Sequence, residues 1–131
     1  MKKSEIIKNF NSIVCEFLEQ LSNVISPNYY NSFVILIKIN SVEPIKQFIN
    51  YVHNSEKPLV EYIKTRNDIY FENIDNIKNS INNIDNSQII LSEIIKLHEI
   101  YLKLNIESKD NIWCILQALL QLSNEYLISK S

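Results

Sequence analysis

Along residues 4–25 apolar side chains recur at steps of three and four, at Ile6, Ile7, Phe10, Ile13, Val14, Phe17, Leu18, Leu21, Val24 and Ile25, with Glu16, Glu19 and Gln20 opposite. That period places them on one face of an α-helix, so the spacing predicts an amphipathic helix. Ser26-Pro27-Asn28 interrupts it and starts a second helix, because serine caps free amides and the fixed φ of proline suits a first helical position. This helix carries Tyr29, Tyr30, Phe33, Val34, Ile35, Leu36, Ile37 and Ile39. Its run from Phe33 to Ile37 is apolar on nearly every side, so the helix near residues 28–39 is expected to be the central, most buried one. A strand is the competing expectation for this β-branched run.

Ser41, Glu43 and Pro44 mark a third start, with a cap, an acidic first turn and an early proline. Val42, Ile45, Phe48, Ile49 and Val52 form its stripe, ending near His53. Residues 54–58 read as a loop and 58–66 as a short helix with Leu59, Val60, Tyr62 and Ile63. Residues 67–72 show neither period and are expected to be irregular. Ile74, Ile77, Ile81 and Ile84 keep helical spacing, but the intervening asparagines are poor helix formers, so 72–86 is expected to be frayed or partly disordered. Asp85 or Ser87 caps a helix with Ile90, Leu91, Ile94, Ile95, Leu97, Tyr101 and Leu104. Ser108 and Asp110 begin the last one, carrying Ile112, Trp113, Ile115, Leu116, Leu119, Leu120, Leu122, Tyr126 and Leu127. The expected fold is all-α: a compact single-domain bundle of five to seven helices spanning 1–131.

Composition strengthens the helical expectation and removes several chemistries. The 131 residues contain no glycine, so the phosphate-cradling loops and nucleophile elbows that need its positive φ are absent. Counts of 24 Ile and 18 Asn against one Ala and one Arg follow an AT-rich gene more than fold physics. Because Ile and Asn are middling to poor helix formers, packing rather than propensity must hold the helices. Net charge is −2, and the only basic cluster is Lys2, Lys3 and Lys8, so nucleic acid is not an expected partner. Phe33 to Ile37 is far too short to span a membrane, and the MKKSEIIKNF start lacks an apolar export core. With no N-x-S/T sequon, an intracellular site is expected. Cys15 and Cys114 sit on apolar stripes and read as buried thiols in a reducing compartment.

Catalytic constellations are missing. His53 and His98 lie on different predicted helices, and the position four after His98 is Leu102, so His98-Glu99 is only half of a zinc-binding helix. Cys114 beside Trp113 in an apolar helix is a poor thiolate. Asp68, Glu72 and Asp75 supply oxygen ligands but no EF-hand glycine. No catalytic residue, metal or cofactor is therefore expected. The aromatic set Tyr29, Tyr30, Tyr51, Tyr62, Tyr70, Phe71 and Trp113 is larger than one small core hides, and aromatics anchor interfaces. These are the candidate interaction residues; the alternative is that they pack the helices with their polar tips at the rim.

Three blocks resemble short all-helical proteins of nucleocytoplasmic large DNA viruses of the giant-virus kind. They are Phe33-Val34-Ile35-Leu36-Ile37-Lys38 running through Asn40-Ser41-Val42-Glu43-Pro44 to Phe48-Ile49-Asn50-Tyr51-Val52, then Tyr62-Ile63-Lys64-Thr65-Arg66-Asn67-Asp68-Ile69-Tyr70-Phe71, and Ile112-Trp113-Cys114-Ile115-Leu116-Gln117-Ala118-Leu119-Leu120. The resemblance covers roughly residues 10–127. It departs where a second phenylalanine would follow Tyr70-Phe71 and where an aromatic would precede Leu116-Gln117. It implies origin and an all-helical fold and brings no catalytic residues. The expected function is a non-enzymatic interaction module of such a virus, in the virion or the host cytoplasm, binding a viral or host protein or itself. The alternative is a Bcl-2-like modulator taking a partner helix in a groove beside a buried central helix.

Overall fold

A computed structural model describes residues 2–22, 27–54, 59–69, 99 and 101–129. Five helices are bounded among them, α1 (Lys3–Leu21), α2 (Pro27–Ile39), α3 (Glu43–Val52), α4 (Leu59–Lys64) and α5 (Ile106–Ile128), and residues 101–103 are helical as well. The fold is all-α, and no strand occurs among the described residues. Expectations for Ser26, Tyr70, Phe71, the 72–86 segment, His98 and most of the helix beginning at Asp85 or Ser87 lie outside the described residues.

The chain divides into two compact units, Met1–Asn54 with Ile115–Ser131, and Ser55–Cys114. In the first, the core is the stripe that periodicity picks out on three helices. Ile6 and Phe10 of α1, Ile45 and Ile49 of α3 and Leu119 of α5 are buried together, ringed by half-buried Ile13, Val14, Phe48, Ile115 and Leu122. Phe10 and Phe48 meet edge to face at 5.6 Å, the geometry that aromatic quadrupoles favour. The start of α3 differs in one detail from expectation. Ser41 makes no cap; Asn40 Oδ1 accepts the Val42 amide at 3.3 Å, and Pro44 sits in the first turn, where no amide is needed.

In the second unit Leu59 and Ile63, one turn apart on α4, are buried, as is Trp113. Helix α4 ends on Arg66, whose φ of 53° lies in the left-handed region. The Arg66 amide donates to Ile63 O (3.2 Å) and the Asn67 amide to Tyr62 O (2.8 Å), the paired bonds of a Schellman terminus. Glycine normally occupies that left-handed position. A chain without glycine must place a Cβ-bearing residue there at some cost.

Candidate functional site

The helix expected to be the most buried is not. No side chain of α2 is fully buried. Tyr29, Tyr30, Phe33, Val34 and Ile37 are half-buried, while Ile35, Leu36 and Ile39 are 60%, 38% and 79% exposed. A helix carries one side chain every 100°, so residues 30, 33, 34 and 37 share one face and 35 and 39 lie on the other. A run that is apolar all round can cover only the side that meets a neighbour. Helix α2 packs on α1 and touches α3, and its other side is left to solvent. This removes the buried central helix on which the Bcl-2-like alternative stood.

None of the described aromatic candidates is exposed. Tyr30 belongs to the inner face of α2, Tyr29 is half-buried at its edge beside Leu36, Tyr51 of α3 and Tyr62 of α4 are half-buried, and Tyr70 and Phe71 lie outside the described residues. Trp113, at 2% exposure, is a core residue and no exposed anchor. The exposed apolar surface on α2 is aliphatic, made by Ile35, Leu36 and Ile39. Their signal was present in the run from Phe33 to Ile37, but period alone does not say which side of such a helix stays uncovered.

An open groove of about 470 Å³ runs beside this helix, lined among others by Ile7, Asn11 and Cys15 of α1, Ile37 of α2 and Ser41. Asn11 is buried there; its Nδ2 donates to Ser41 O at 2.8 Å, and its Oδ1 has no partner. Burial, with help from the Glu19 charge, pushes the Cys15 thiol pKa up, which keeps it protonated and a weak nucleophile. Cys114 is exposed rather than buried, since it lies 100° round α5 from the inward Trp113.

Two polar clusters were not foreseen. His53, half-buried at the end of α3, lies 2.8 Å through Nε2 from the Oγ of fully buried Ser123. That hydroxyl has one proton and directs it to Leu120 O at 2.7 Å, so Nε2 must carry hydrogen and donate to Ser123. This polarity is opposite to that of an activated serine, whose proton points at the imidazole. The pair is structural, and burial lowers the His53 pKa. In the second unit, Trp113 Nε1 donates to Asp68 Oδ1 (2.7 Å) and to Tyr101 Oη (3.1 Å), and Tyr101 Oη donates to Asp68 at 3.3 Å. The Arg66 guanidinium lies 6.0 Å from the Trp113 ring centre, pairs with Asp110 and stands 3.8 Å from Asp68 through Nε. The hydrogen bond to Asp110, followed by the charges of both aspartates, raises its already high pKa. These contacts tie Trp113, Asp68, Tyr101, Arg66 and Asp110 into one network.

No three His, Cys, Asp or Glu side chains among the described residues group to hold a metal ion, and no helix there is long and apolar enough to cross a membrane. Compared with protein-family models, with curated proteins and with solved structures, the chain matches none.

Proposed function

We propose that this protein is a non-enzymatic helical interaction module that binds another protein through the outer face of α2. The observation that carries the proposal is the exposure of Ile35, Leu36 and Ile39, at 60%, 38% and 79%, side by side on one helix. Fully burying one such side chain is worth roughly 1.5–3 kcal/mol, so covering this partly exposed trio supplies about 3–5 kcal/mol before the entropic cost of association. Selection against aggregation works against uncovered aliphatic patches, which therefore mark partner surfaces. The proposal includes a large-DNA-virus origin, as a minor virion component or an infected-cell factor; the three sequence blocks and the base-content bias support that part.

The test is recovery of tagged protein from the cells or particles that contain it, with the molar ratio of co-purifying proteins measured for the wild type and for an Ile35→Asp/Ile39→Asp variant. One stoichiometric protein partner is expected with the wild type and its loss with the variant, whose far-UV ellipticity stays unchanged. A wild type that recovers no partner, or a folded variant that keeps it, overturns the proposal. The virion or infected-cell origin of the sample that yields the partner decides between the two viral roles.

A further inference from the structure

Trp113 is held shut by residues that are themselves held under opposing forces. Arg66 is the described residue with positive φ, 53°, a conformation unfavourable for any side chain with a Cβ. The turn it belongs to nevertheless supplies two of the groups placed on Trp113: the Arg66 guanidinium over the ring and the Asp68 carboxylate on Nε1. What offsets the unfavourable backbone is chiefly ionic. Arg66 reaches Asp110 on α5 and stands near Asp68, and these three side chains are 35%, 50% and 44% exposed. Ion pairs that accessible are screened by salt, whereas the burial of Leu59 and Ile63 on α4 is not. Among the described contacts of this turn the charged ones are thus the salt-sensitive ones, and the Arg66 guanidinium sits over the Trp113 ring.

We propose that residues 65–68 form a salt-gated strap over Trp113, closed by Arg66 pairing with Asp110 and Asp68 and opening locally as ionic strength rises. Opening breaks the Arg66 and Asn67 amide bonds to Ile63 and Tyr62 and takes Asp68 from the indole N–H, leaving it the Tyr101 hydroxyl, while the α1 and α3 core of the other unit stays folded. Opening lifts the Arg66 guanidinium and the Asp68 carboxylate from Trp113 and so loosens its cover on that side.

Trp113 is the single tryptophan, so its indole N–H gives one resonance, and hydrogen exchange of that proton and of the Arg66 and Asn67 amides reads the opening directly. On the full chain at constant pH, raising NaCl from about 20 mM to about 500 mM should speed these three exchanges about two- to fivefold relative to the Ile6 and Phe10 amides, the range expected for exposed ion pairs. Asp110→Asn should exchange faster already at low salt and show a weaker salt dependence, since only the Asp68 pair is left. Salt-independent exchange in the wild type overturns the proposal. So does equal acceleration of the Ile6 and Phe10 amides, or a folded Asp110→Asn variant as protected as the wild type. The wild-type series decides the matter even if that variant does not fold.

Discussion

Replacing Trp113 in two steps separates what its ring does from what its N–H does. Trp113→Phe keeps an aromatic ring in the core and deletes the donor that bridges Asp68 at 2.7 Å and Tyr101 at 3.1 Å. A hydrogen bond to a charged group is worth roughly 1.5–3 kcal/mol. The Asp68 side chain is 44% exposed, so a carboxylate that loses its indole partner can turn to water, and it keeps the Tyr101 hydroxyl; the expected loss is therefore about 1–2 kcal/mol. Trp113→Ala also removes the ring. At 2% exposure the ring gives up nearly all of a buried area of about 150–250 Å², and Trp→Ala changes in cores cost about 3–5 kcal/mol.

The assay is urea unfolding followed by far-UV ellipticity, since both variants lack the fluorophore. The expected order is wild type, then Trp113→Phe, then Trp113→Ala, with the larger step from Phe to Ala. If the two units unfold separately, the transition of 55–114 is the one that moves. Equal losses in the two variants would mean that the N–H bridge, not the ring, holds the site. A Trp113→Ala loss under about 0.5 kcal/mol would refute the burial argument outright.

Two further predictions test the other unit. Ile45→Ala, at a fully buried position, should cost about 2–5 kcal/mol in the same assay, whereas Ile39→Ala, 79% exposed, should stay within about 0.5 kcal/mol; a large loss at Ile39 would restore α2 to the core. The His53 pKa is lowered in the folded state, so the unfolded chain binds the proton more readily and stability must rise with pH across that window. Stability is full above the unfolded imidazole value of about 6.5 and falls as pH drops below it toward the folded value; His53→Gln should flatten that slope, and an unchanged slope would remove His53 as its source.

Helices whose apolar residues fall on one side were legible in the sequence, and the side itself came with them. In α1 the three- and four-residue steps through Ile6 and Phe10 placed the helix and its buried face together. In α3, Glu43 and Pro44 marked the start, while Ile45, Ile49 and Val52 marked the face. Helix α2 was located but its orientation was not, because Phe33 to Ile37 offers apolar atoms in every direction and only the neighbours decide which are covered. The same limit applies to Cys114, drawn inward by its apolar surroundings yet turned outward by one residue of helical rotation. Trp113 sat on a visible stripe, but its partners Asp68 and Tyr101 are 45 and 12 residues away, and no local pattern announces a pairing at that distance.

The absence of glycine explains why the polar cluster forms where it does. A short helix such as α4 has to leave its axis within a residue or two, and the Schellman exit requires one left-handed residue. Glycine would fill that position at little cost and contribute nothing else. With Arg66 there instead, the position carries a long cationic side chain within reach of Asp110, Asp68 and the Trp113 ring. The unfavourable backbone and the favourable charge pairing thus belong to one residue and cannot be changed independently. Arg66→Gly relieves the first and deletes the second. Its net effect on stability is accordingly small, while its effect on how tightly Trp113 is covered is large, which is the combination that separates a closing strap from a helix end that merely happens to be charged.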